Sequence, residues 1–167
     1  MHHDISRRRA LAQLSAASLA SLSPWALAQS PITVGFIYVG PKDDFGYNQA
    51  HAEAVAEIKK IAGIKAVEEE NVPETQAVQK TMQGMISQDG ATLLFPTSFG
   101  YFDPHMLGIA AKNDKVRFAH CGGMWTEGKH PKNTGSFFGY IDEAQYLNGV
   151  VAGHMSKSKK LGFIAAK

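Results

Sequence analysis

The feature that most constrains this chain is a nearly unbroken apolar run, Ile-Thr-Val-Gly-Phe-Ile-Tyr-Val at residues 32–39, which empties into a polar and aromatic loop, residues 40–49. A run without hydrophobic/polar alternation suits a strand covered on both faces, as in a parallel sheet. The segment after it carries Tyr47, Ala50, Ala54, Ile58 and Ile61 at helical spacing, with Glu53, Glu57 and Lys60 on other faces. Strand, loop and helix make the first βα turn of an open α/β sheet. In such sheets ligands bind outside the carboxyl ends of the strands.

The pattern then repeats. Further strands are predicted over residues 64–72, 91–95, 116–120, 135–141 and 161–166. Pro73-Glu-Thr starts a second helix with Val78, Met82, Met85 and Ile86 inward, the methionines acting as core filler. Asp103-Pro104 reads as an N-cap and first helical position, ahead of Met106, Leu107, Ala110 and Ala111 on an inward face. Asp142-Glu-Ala-Gln145 has the form of a capping box, opening a helix with Tyr146, Leu147, Val150, Val151 and His154 on one side. Six strands alternating with helices define an α/β class, a doubly wound parallel sheet. The last strand has no helix after it to cover it, so the chain is expected to be the front part of a longer protein.

The N-terminus reads as an address. Ser6-Arg-Arg-Arg9 precedes an acid-free, Ala/Ser/Leu-rich run, residues 10–27, that closes on Ala26-Leu27-Ala28, a small-x-small cleavage pattern. Pro24 and the lack of a charged face argue against a first helix of the fold. Residues 1–28 are therefore expected to be a signal peptide of twin-arginine type, with Sec export left open because Ala10 replaces the usual aromatic. No cysteine stands at the cleavage site, so no lipid anchor is expected there, and the mature protein should begin near Gln29 in a bacterial periplasm.

Several functions are disfavoured. The net charge is +2, Arg7, Arg8 and Arg9 lie in the expected leader, and no basic run is interleaved with aromatics, so nucleic acid is not an expected partner. The first loop has neither G-x-G-x-x-G nor G-K-[ST]. His105, His120 and His130 lack metal-ligand spacing, and Cys121 has no second cysteine. His120 and Cys121 are strand neighbours and point to opposite faces, which opposes a nucleophile–base pair. No G-x-S-x-G elbow occurs. The expectation is a non-enzyme without metal or cofactor.

Three strand exits should lie together at the carboxyl edge. They pool Phe45, Tyr47, Phe99, Tyr101, Phe102 and Trp125 with Asp43, Asp44, Asn48, Thr97 and Ser98. Aromatic faces stack on flat rings while amides and carboxylates bond in the ring plane. Any one of these aromatics reads equally as a plug under a loop, and Asp44 equally as a helix N-cap. Two acids at a helix N-terminus repel phosphate from the place that would otherwise hold it. The favoured ligand is neutral or cationic and rich in donors.

Gly46-Tyr-Asn-Gln49 resembles the S-F-N-Q signature of the basic membrane protein family of substrate-binding proteins, the purine nucleoside receptor group. Residues 141–153, IDEAQYLNGVVAG, resemble that family's G-Y-L-A-G-x-x-A stretch, and Lys159-Lys-Leu-Gly-Phe-Ile164 its K-x-G-F strand. The likeness covers nearly everything after Pro31. Residues 97–103 and 121–128 look like a branch associated with purine bases such as adenine. The resemblance implies a two-lobed type I periplasmic binding fold that delivers its ligand to the inner-membrane permease of an ABC importer, as a monomer when full length. It implies lobe one over residues 29–141, and a crossover with the start of lobe two over 142–167. By position, Tyr47 would stack on the ligand ring and Asn48 would give a polar contact. Asp44, Phe45, Thr97, Ser98, Phe99, Gly123 and Trp125 complete the expected site. Where nucleoside binders of the family carry an acid, this chain has Cys121-Gly122-Gly123, which shifts the expected ligand from nucleoside toward free base. The alternatives are a periplasmic sensor domain of a signalling receptor and a nucleoside-processing enzyme.

Overall fold

The computed structural model describes residues 31–164. The expected signal peptide falls outside the described residues. Five strands, β1 (Ile32–Ile37), β2 (Ile64–Glu69), β3 (Ala91–Pro96), β4 (Arg117–Cys121) and β5 (Thr134–Phe137), form one sheet in the order β2-β1-β3-β4-β5. Every pairing is parallel. The helices are α1 (Tyr47–Ile58), α2 (Gln76–Ser87), α3 (Leu107–Ala110) and α4 (Ile141–Met155). A 3₁₀ turn (Phe99–Tyr101) and a π-type turn (Phe102–Met106) lead from β3 into α3.

Alternation along β1 sorts its side chains between two cores. Val34, Phe36 and Tyr38 join Val55 of α1 on one face, where Phe36 stacks on Phe95 with centroids 4.8 Å apart. Ile37 joins the larger cluster, which holds Val78, Met82 and Met85 of α2 with Leu94, Met106 and Phe118. Gly35 also points at α2. A Cβ there would stand 2.7 Å from Met85 Sδ and 2.4 Å from Leu94 Cδ2, so glycine is what lets α2 seat closely. The α2 stripe lies where its spacing placed it, and Thr75 caps the helix by accepting from the Ala77 amide at 3.2 Å.

Strand ends follow the neighbours. Glu69 pairs with Ile37 at the end of β1, and Phe137 with Cys121 at the end of β4. Past Glu69 the regular ladder gives way to single bonds, from the Asn71 and Val72 amides to the Gly40 and Tyr38 carbonyls, and β2 and β5 stop short of the expected 72 and 141. The expected sixth strand does not form over residues 161–164, since a strand exists only through bonds to a neighbour and none lies beside it among the described residues. Its last two positions lie outside the described residues.

Three helix expectations are corrected. The buried face of α1 carries Asn48 and Val55, with Ala52 and Ile58 packed alongside, while Ala50 and Ala54 are exposed and Ile61 lies past the helix end. Alanines at 50, 52, 54 and 56 occur on every face, so the larger Val55 sets the phase. Asp103 is extended (φ −121°, ψ 129°), as N-caps and residues before proline both are, but α3 begins only at Leu107 and not at Pro104, with Ala111 exposed. The capping box at Asp142 is not made either. α4 starts two residues earlier, its N-cap Tyr140 makes no side-chain cap bond, and Asp142 and Glu143 sit in the first turn, where they favour the helix by charge. None of α4's residues is buried. Among the described residues, no helix is long and apolar enough to cross a membrane.

Candidate ligand-binding site

Because β1, β3 and β4 are adjacent and parallel, their three exits share one edge. The β1 exit is built around Asp44. Its carboxylate accepts from the Gly46 and Gln49 amides at 2.9 and 3.0 Å, and from the Asn48 amide and Asn48 Nδ2 at 3.1 and 2.9 Å. The Gln49 amide, helped by those of Asn48 and Gly46, lowers the Asp44 carboxyl to about 2. Asp44 is thereby committed to the N-terminus of α1, and its negative charge stands where a phosphate would otherwise sit.

Asn48 is 5% exposed, and its Oδ1 has no hydrogen-bond partner. Gly40 makes room for it, since a Cβ there would lie 2.8 Å from Nδ2. Phe45 takes the left-handed region (φ 55°) with its ring 95% exposed. A bulky residue in that region is unusual and costs energy.

Tyr47 bridges two exits. Its hydroxyl donates to the Thr97 carbonyl at 2.5 Å, and its ring meets His51 edge-on at 4.7 Å. Burial first, and the Cys121 thiol second, push the Tyr47 hydroxyl above its usual range, so it stays a donor. Burial lowers His51 below the ordinary histidine value.

The β3 exit is tied inward. Thr97 donates through its amide and its hydroxyl to the Ile37 carbonyl, at 3.1 and 2.9 Å. Ser98 Oγ donates to Glu74 Oε1 at 2.5 Å, and the Gly100 amide donates to the same oxygen at 2.8 Å. His120, fully buried, donates from Nε2 to the Ser98 carbonyl at 2.9 Å, and burial lowers it. Phe99 between them remains 55% exposed.

The β4 exit turns at Gly123 (φ 67°), and the Met124 amide donates to Ser136 Oγ at 2.9 Å. Trp125 packs against the larger core cluster with Nε1 unpartnered. The expected residues thus separate into joined and solitary groups. Asp44 with Asn48, and Tyr47 with Thr97, are directly bonded. Phe45 and Phe99 present open rings to solvent. Tyr101 and Phe102 are core, Tyr101 donating to the Val72 carbonyl at 2.5 Å. Glu74 was missed, because Pro73-Glu-Thr reads as a helix start. The signal for it was Gly100, a glycine inside an aromatic loop. Among the described residues no three His, Cys, Asp or Glu side chains cluster to hold a metal.

A parallel sheet with helices of this kind is the fold the chain shares with solved ABC solute-binding proteins. The chain belongs to the Bmp family, ABC transporter substrate-binding proteins of the PnrA-like type, whose model matches residues 32–167. The family is one of substrate-binding proteins rather than enzymes. The chain is 35% identical over 141 residues to a purine-binding protein of Brucella abortus (strain 2308), covering 83% of this chain and 39% of that protein. It is 28% identical over 135 residues to basic membrane protein D of Borreliella burgdorferi (strain JD1), covering 79% and 38%. The chain thus spans under two-fifths of either relative's length. Among solved structures, an ABC transporter system solute-binding protein from Conexibacter woesei DSM 14684 has a TM-score of 0.60 at 21% identity, covering 73% of this chain and 40% of that one. Another from Aeropyrum pernix K1 has a TM-score of 0.59 at 22% identity, covering 74% and 32%. At those identities the likeness bears on fold alone.

Proposed function

We propose that this chain is the first lobe, with the start of the second, of a periplasmic substrate-binding protein that carries a purine base, adenine-like in its donor pattern, to an ABC permease. Residues 29–141 form lobe one in this reading and 142–167 the crossover, with an exported precursor carrying residues 1–28 as its signal. The observation that carries the reading is the Tyr47–Thr97 bond, which holds a half-exposed aromatic plate between two strand exits. Around it, Phe45 and Phe99 offer further ring faces, and Asn48 Oδ1 is an acceptor without a donor. Stacking faces with in-plane acceptors suit a flat heterocycle bearing amino groups. The Asp44 carboxylate disfavours a phosphorylated ligand. The Brucella relative's name points to the same ligand class.

A cleft with one wall leaves much of its ligand in water, so tight binding requires the second lobe. The test is a thermal shift of the full-length protein against a panel of bases and nucleosides. Adenine or a close analogue should raise the melting temperature, by mass action on the native state. A melting temperature unchanged across the panel rejects the ligand class. Titration of residues 29–167 alone should give much weaker binding, and equal affinity would remove the need for a second lobe.

A further inference from the structure

The exit of β3 is tied at neighbouring residues to four other parts of the fold. Thr97 is bonded to the end of β1 and to Tyr47 of α1. Ser98 is bonded through its hydroxyl to Glu74, ahead of α2, and through its carbonyl to His120 of β4. The Gly100 amide returns to the same Glu74 oxygen at 2.8 Å. Inside these ties stands Phe99, whose ring is 55% exposed. A ring in water gains little from burial, so the ties hold it in place rather than bury it. Networks of this kind restrict a segment to one geometry.

Gly100 shows that the approach of Glu74 is built in. A Cβ at that position would stand 2.5 to 2.7 Å from the Glu74 carboxyl atoms. Only a residue without a side chain lets one carboxylate oxygen reach both the Ser98 hydroxyl and the Gly100 amide. On the other side the Ser98 carbonyl can only accept, so His120 carries its proton on Nε2, and its buried Nδ1 is left without a partner. Burial favours that neutral ring.

We propose that Glu74 and His120 are positioning residues for the ligand wall, clamping residues 98–100 from both sides so that Phe99 presents its ring to the ligand. Neither touches the ligand. The inference rests on the carboxyl edge being a purine-binding wall.

The experiment uses the full-length protein, adenine as the probe, and the variants Glu74→Ala, Glu74→Gln, Phe99→Ala and the double variant Glu74→Ala/Phe99→Ala. Glu74→Ala should raise Kd about tenfold, the scale of one charge-assisted hydrogen bond, and should speed hydrogen exchange at the Gly100 amide. Glu74→Gln keeps an oxygen that accepts both bonds and should stay within about threefold of wild type. If Glu74 acts through Phe99, the double variant should bind no worse than Phe99→Ala alone. A merely structural role would lower the melting temperature without this loss of additivity. Wild-type binding with Kd unmoved by Glu74→Ala, or with the two losses multiplying in the double variant, overturns the positioning role alone. Wild-type protein that binds no base or nucleoside overturns the ligand reading and the positioning role with it.

Discussion

Helices α2 and α4 both carry large apolar side chains at helical spacing, more one-sidedly in α2, and meet opposite fates. α2 buries Val78 and Met82 completely and leaves Met85 4% exposed, against β1 and β3. α4 leaves Tyr146 72%, Leu147 63% and Val151 62% exposed, with no described residue covering them. A stripe states a demand for an apolar partner, and packing happens only where a sheet face answers it. The first and last apolar runs of the described residues differ in the same way. The first strand acquires neighbours on both sides, whereas residues 161–164 acquire none.

Truncation tests that contrast most strongly. Met82→Ala removes a fully buried side chain from the larger core and should destabilise residues 29–167 by about 2–5 kcal/mol in urea unfolding. A loss under about 1 kcal/mol would mean that the α2 face is loosely packed.

A smaller effect on the same side should come from His120. Its folded-state value lies below its ordinary one, so at acid pH the unfolded chain binds the extra proton. Its contribution is therefore fully present above about pH 6.5 and falls as the pH drops from there toward the folded-state value. His120→Gln keeps a donor for the Ser98 carbonyl and cannot titrate. It should flatten the acid limb of stability below about pH 6.5 in unfolding curves, leaving the part that comes from His51, which is shifted the same way. An unchanged slope would show that water reaches the His120 ring.

The smallest effect should lie on α4. Val150→Ala should change the stability of residues 29–167 by less than about 0.5 kcal/mol, since the side chain is 43% exposed and meets no core cluster. The same substitution in the full-length protein should cost more, and an equal cost in both would leave α4 a solvent helix.

Most of the fold was legible because parallel strands and amphipathic helices write their periods into the chain. The continuous apolar run of β1, the glycine turns, and the spacing of Val78, Met82 and Met85 all led to elements that exist. Where the reading slipped, the cause was local. Alanine on every side of α1 hid its phase, and the acids of Asp142-Glu143 imitated a cap that the backbone places at Tyr140. At the candidate site, sequence order grouped the three exits but could not separate Phe99, in solvent, from Tyr101, in the core, two residues later. The turn geometry that rotates one outward and the other inward comes from bonds to Glu74, His120 and Val72, which are distant in the chain.

By itself the sequence determined the class of the protein, the alternation of strands and helices, and the placing of a polar, aromatic loop after the first strand. These are local matters, set by side-chain period and by the backbone preferences of glycine and proline. Tertiary structure alone decided where β2 and β5 end, since a strand extends only as far as its neighbour can bond to it. It also decided that Tyr47 leans on Thr97 and that Glu74 holds Gly100. Those contacts join residues up to 50 positions apart, and only the folded sheet brings them within reach.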